Sequence, residues 1–154
     1  MLELVAALAL AAAPVGTPEE DVAAAIDALH AAASRADGAA YFALFTPDAR
    51  FIGTDATERW TLSEFRAYAE PYFARGQGWT YTPVERTVTV APISCLCIAW
   101  FDEVLDSDSY GVTRGSGVLR KTRGGGWKIE QYVLSFAVPN DRARAVVEAI
   151  KPPE

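Results

Sequence analysis

The chain is short of the residues that most metal and nucleophilic chemistry needs. Its 154 residues include one histidine, His30, and two cysteines, Cys95 and Cys97. A zinc centre takes at least three protein ligands, mostly Cys and His. His30 also lacks a Glu-x-x-His partner, so no metal site and no cofactor is expected. A Ser-His-Asp triad is excluded unless His30 is in it. Basic residues are scarce as well, with 14 Lys and Arg against 20 Asp and Glu for a formal charge of −6. Nucleic-acid binders carry the opposite balance, because they must neutralise phosphates. No apolar run reaches the roughly 20 residues that a membrane-spanning helix requires. Gly124-Gly125-Gly126 opens no helix and reads as a hairpin turn rather than a phosphate loop. Asp106-Ser107-Asp108-Ser109 lacks the length and closing Glu of a calcium loop. What remains is one domain of ordinary globular composition, 51% hydrophobic and 22% charged.

The first thirteen residues form a zone of their own. Leu4 to Ala13 is apolar, and Pro14-Val15-Gly16-Thr17-Pro18 breaks the run. This is similar to the apolar core and small-residue cleavage region of a secretory signal, although Glu3 stands where such signals carry positive charge. Residues 1–17 are read as a leader or an unstructured N-terminus. The first of these means a secreted or periplasmic protein, the second a cytoplasmic one.

Residues 18–140 make up the domain. Acids crowd Pro18-Glu19-Glu20-Asp21, where they complement a helix dipole, and Val22, Ala25, Ile26, Leu29, Ala32 and Ala33 follow at helical spacing. Asp37-Gly38 restarts a shorter helix through Phe45, Thr46-Pro47-Asp48 reads as a turn, and Arg50 to Thr54 as a short strand. Thr61 with Glu64 is a capping box for a helix whose apolar face runs from Leu62 to Phe73. From Trp79 the period changes to two. Runs over about 80–91, 94–106, 110–121 and 127–137 are joined by short turn-rich breaks, which predicts an antiparallel meander. Helices first and strands after give an α+β domain. Residues 141–154 are a tail with a short helix. Cys95 and Cys97 are two apart in a strand-like run, where a disulfide is strained, so they are expected as buried, reduced small hydrophobes.

This order of elements resembles the nuclear transport factor 2-like fold, a cone-shaped curved sheet wrapped around N-terminal helices. Tyr41-Phe42-Ala43-Leu44-Phe45-Thr46-Pro47-Asp48-Ala49 looks like the segment before the first strand of SnoaL-like domains. Glu58-Arg59-Trp60, Trp100-Phe101-Asp102-Glu103, Arg114-Gly115-Ser116-Gly117-Val118 and Gly126-Trp127-Lys128-Ile129 continue the likeness. The same superfamily includes ketosteroid isomerase, which uses a base Asp and an oxyanion hole of a Tyr and a protonated Asp. A hand alignment puts those roles near Leu29, Gly53 and Gly117, with His30 and Asp55 the nearest substitutes. The resemblance therefore implies the fold but not the steroid reaction, since fold alone does not carry function.

Hairpin geometry then assigns faces. A short loop at Ser107-Asp108 pairs Trp100 with Gly115 and Asp102 with Thr113. Pairing Lys121 with Trp127 sets Gly115 against Val133 and Gly117 against Gln131. On that reading Trp100, Gly115, Gly117 and Gln131 frame a hollow under the helices, with Asp102 along the same face. A ligand or the Trp100 ring could fill it. Asp102 is the candidate base, or else a satisfied rim acid. Glu58 and Trp60 lie near the mouth of the cone, to meet a ligand or to serve as a paired carboxylate and a core plug. Gln131 fixes a loop or meets the ligand. His30 is a packed residue or an assisting base. On the other face Glu103 forms an exposed pair with Arg114, contributing about 0–1 kcal/mol. Tyr132, Leu134 and Phe136 beside Arg114 and Arg120 offer an open face for a homodimer. The leading expectation is a domain that binds a small, largely apolar molecule. The alternatives are a cofactor-free isomerase, hydratase or cyclase using Asp102, and a non-enzymatic dimeric interaction module.

Overall fold

The structure, a computed structural model, describes residues 16–151. The apolar segment 1–13, on which the export reading rests, lies outside the described residues. Helix α1 (Pro18–Ser34) starts where the acids predict. The Thr17 hydroxyl accepts the Glu20 N–H and the Glu20 carboxylate accepts the Thr17 N–H, a complete capping box. Helix α2 (Gly38–Ala43) is capped by Asp37, and α3 (Leu62–Phe73) by the expected Thr61–Glu64 box. Their buried faces meet in an aromatic cluster of Tyr41, Phe42, Phe45, Phe65 and Phe73.

Six strands form one sheet: β1 (Phe45–Ile52), β2 (Arg59–Thr61), β3 (Thr82–Val90), β4 (Ile98–Ser107), β5 (Gly111–Lys121) and β6 (Trp127–Phe136). Their order is β2-β1-β6-β5-β4-β3. The meander β3 to β6 is antiparallel as expected, while β1 adds parallel to β6 and makes the sheet mixed. Thr46-Pro47-Asp48 is not a turn but part of β1, where the pairing is irregular between Phe45 and Arg50 and so leaves room for the proline. A 3-10 turn (Asn140–Arg142) leads into α4 (Ala143–Ile150).

Two features move the register away from the sequence reading. The β4–β5 loop is three residues long and closes with Gly111 at φ 67°, so Ser107 pairs with Gly111 and Trp100 with Val118 rather than Gly115. The odd offset turns Trp100 and Asp102 outward and Phe101, Glu103 and Leu105 toward the helices. In the next hairpin Lys121 pairs with Trp127 as expected, but a bulge follows. Leu119 pairs with Ile129 and Val118 with Gln131, which leaves Glu130 unpaired. Beyond it Tyr132 and Leu134 face the helices, while Gln131 and Val133 face out. The homodimer face drawn through Tyr132 and Leu134 therefore does not exist as drawn, because both side chains are buried.

The cysteines also depart from expectation. Residues 91–97 are a loop rather than strand, with Leu96 at φ 44°, and Cys95 and Cys97 are joined by a disulfide. The turn draws their Cα atoms to 5.1 Å, within the span a disulfide bridges.

Candidate functional site

A cavity of about 480 Å³ opens between β2, α3, the 78–82 segment and the β4–β5 loop. Its floor is Phe51 and Leu134. One wall is Trp60, stacked on Phe65 with centroids 5.6 Å apart and on Tyr68 at 4.9 Å. Trp79, Tyr81, Tyr72 and Tyr110 also line the cavity, the last two exposed to solvent. The capping box fixes where α3 begins, and the pairing of Trp60 with Phe51 hangs the indole over the floor.

Glu58 reaches the same cavity. Its carboxylate lies over Gly53, where any Cβ would collide with it, and accepts the Asp55 N–H at 3.1 Å. Asp106 and Asp108 border the cavity at the β4–β5 hairpin, Asp106 on the outward-facing row of β4. Among the described residues, none of these three acids makes an ion pair. Burial raises the Tyr81 phenol to about 12, with neighbouring Tyr110 and the Glu58 charge adding to the rise. Burial likewise raises Tyr68, helped by Tyr72 and Glu58.

A second polar group lies beneath the floor. Glu103 is 1% exposed. Its Oε1 accepts from His30 Nε2 at 2.8 Å and from the Tyr132 hydroxyl at 3.1 Å, and its Oε2 accepts from Arg86 Nε at 2.8 Å. Arg86 continues to Asp27 Oδ1 at 2.7 Å and to the Ala23 carbonyl. A carboxylate only accepts, so His30 carries a proton on Nε2. Burial alone would raise the Glu103 carboxyl, but the His30 hydrogen bond and charge, with Arg86, outweigh it and hold the group below the ordinary value. Burial and the Glu103 charge push the Tyr132 phenol well up. The network ties α1 to β3, β4 and β6. None of His30, Glu103 and Tyr132 lines the cavity, because Phe51 stacks on Tyr132 with centroids 5.6 Å apart and floors the cavity itself.

The candidates from the sequence are thus divided. Glu58 and Trp60 are in the cavity wall, and both also have the structural contacts weighed for them: a backbone donor for Glu58, stacked rings for Trp60. His30 is packed in the buried network. Asp102 and Trp100 face outward, Trp100 46% exposed. Gln131 lies beside Arg50, Ile52 and Arg59 in a shallow outward pocket. Gly115 and Gly117 do face the helices, but no hollow remains over them. A Cβ on Gly115 would come within 2.7 Å of Glu103 Oε1, and one on Gly117 would strike the Gln131 carbonyl and Phe101. Glu103 is a buried anchor and not an exposed partner of Arg114. Sequence reasoning missed Tyr68, Tyr72, Trp79, Tyr81 and Tyr110 as cavity residues. Part of their signal was present: Tyr68 and Tyr72 are four apart on α3, and Trp79, Tyr81 and Tyr110 stand beside turns, although Trp79 and Tyr81 also pack against the core. Among the described residues no three His, Cys, Asp or Glu side chains gather as a metal-binding group, and no helix is long and apolar enough to cross a membrane.

Helices laid against one open, mixed sheet, with a cavity at the mouth, define a nuclear transport factor 2-like fold. Within that class the chain belongs to the SnoaL-like domain family, whose model matches residues 22–139. Solved structures agree on the fold. A nuclear transport factor 2-like protein of unknown function from Pseudomonas putida superposes with a TM-score of 0.63 at 17% identity, over 76% of this chain and 84% of that one. A domain of unknown function with a cystatin-like fold from Nostoc punctiforme gives 0.64 at 19%, over 87% and 86%. A ketosteroid isomerase-like protein from Erwinia carotovora atroseptica gives 0.56 at 18%, over 81% and 100%. No curated protein matches the sequence.

Proposed function

We propose that this domain binds a small, largely apolar molecule in the cavity at the mouth of its cone. The aromatic lining carries the reading. A space of about 480 Å³ walled by rings, with a few polar groups converging on it, has the size and chemistry of a small-molecule site. Such rings at the surface lose contact with water only when something covers them, and Tyr68, Tyr72 and Tyr110 are 48%, 40% and 52% exposed. The Cys95–Cys97 bond supports an oxidising compartment and hence an exported protein.

Native mass spectrometry of protein purified gently from its own host tests the binding. A retained small mass is expected, and Tyr68→Ala with Tyr110→Ala should lose it while keeping the melting temperature. A bare mass, together with a crystal structure in which side chains close the cavity, would overturn the reading. A second reading, cofactor-free proton transfer, has one observation behind it: of Asp102, Glu58 and His30, only Glu58 reaches the cavity. It expects Glu58→Gln to abolish turnover without loss of ligand binding.

A further inference from the structure

We infer that the ligand is an organic cation, an alkylammonium or similar group on an apolar body. This deepens the binding reading above and rests on it. The cavity's ionisable lining is of one sign. Glu58 and, from the β4–β5 loop, Asp108 line it; Asp106 borders it from the outward-facing row of β4, and among the described residues no Lys, Arg or His is in the lining. Neighbouring arginines are turned elsewhere: Arg50 and Arg59 line the outward pocket with Gln131, and Arg86 is held by Glu103 and Asp27.

The Glu58 and Asp108 carboxylates form no ion pair among the described residues. The rest of the wall has the same polarity. Eight of the 19 lining residues are aromatic, and the face of an aromatic ring carries the negative end of its quadrupole. The wall already accepts a cation on one ring, since the Arg75 guanidinium sits 5.1 Å from the Tyr72 centroid. A carboxylate or phosphate entering this space would find like charges and, among the described lining residues, no Lys, Arg or His to answer it, the Arg75 guanidinium lying outside the lining against the Tyr72 ring. An ammonium with an apolar body would find rings for the body and for the charge, and Glu58 at the inner edge, where water is partly excluded and attraction is stronger.

The test is a calorimetric and tryptophan-fluorescence titration of the whole chain with three probes of one shape: benzyltrimethylammonium, benzyl alcohol and benzenesulfonate. The cation should bind roughly tenfold or more tighter than the alcohol, the usual size of a partly desolvated cation–π contact, and the sulfonate should not bind. Glu58→Gln and Asp108→Asn should each weaken the cation several-fold and leave the alcohol unchanged. Asp108 is exposed and its side chain has no hydrogen-bond or ion-pair partner among the described residues, so its variant folds even if the Glu58 turn does not. Equal binding of cation and alcohol would overturn this inference and keep the cavity as a ligand site. Failure of all three probes, with a bare native mass, would remove both.

Discussion

At the scale of single residues, Gly115 shows how a correct observation can point to the wrong cause. Two glycines in the middle of β5 mark a place where something approaches closely. That something is the chain itself: Glu103 Oε1 and the Tyr132 hydroxyl occupy the space a Cβ would take. Gly115→Ala should therefore destabilise the fold by about 1–3 kcal/mol, the usual cost of overpacking a core, and urea unfolding measures it. Gly124→Ala, whose Cβ meets nothing closer than 3.9 Å, is the control. Equal effects would mean that Glu103 and Tyr132 yield to the added methyl and that the buried network does not explain Gly115. The aromatic residues of the cavity could be read only in part, for a related reason. Side-chain type says that Tyr68 and Trp79 need covering, but the covering partner is set by contacts across the chain.

Elements were more legible than the register between them. The Thr61–Glu64 capping box, the acids that open α1, the change of period at Trp79 and the order of the meander follow from local physics, because a cap or an alternation is decided within a few residues. Face assignment is not local. Gly111 with its positive φ lengthens one loop, and Glu130 bulges from β6, and each reverses a set of side chains. Asp102 and Glu103 changed places for this reason alone. The parallel pairing of β1 with β6 joins residues about eighty apart and had no sequence signal. The loop at Cys95 belongs to this scale too. Alkylation without reductant should add nothing to protein from its native host, and two groups after reduction. Replacing both cysteines by serine closes no loop in the unfolded chain, and so small a loop contributes at most about 1–2 kcal/mol. A large fall in melting temperature would mean that the disulfide holds more than its own turn.

For the whole molecule, the network around Glu103 is the polar joint between helix and sheet: α1 supplies His30 and Asp27, β3 Arg86, β4 Glu103 and β6 Tyr132. Its cost is the desolvation of a carboxylate, and its return depends on every partner being present. That makes the fold sensitive to acid in a definite direction. The Glu103 carboxyl is held below its ordinary value in the folded chain, while in the unfolded chain it titrates near the model-peptide value of about 4.3. As pH falls through that value, the unfolded chain takes up a proton that the folded chain refuses. Stability then drops until the depressed folded value is passed, and it is fully present only above the unfolded one. Urea unfolding measured between about pH 6 and pH 3 should show this loss. Glu103→Gln should be less stable by about 3 kcal/mol at neutral pH, since it leaves the buried Arg86 with only the exposed Asp27 carboxylate as its charge partner. The gap to the native chain should close as the pH falls. Parallel pH profiles for the two proteins would mean that acid acts elsewhere, and that Glu103 fills space rather than carrying charge at the centre of the fold.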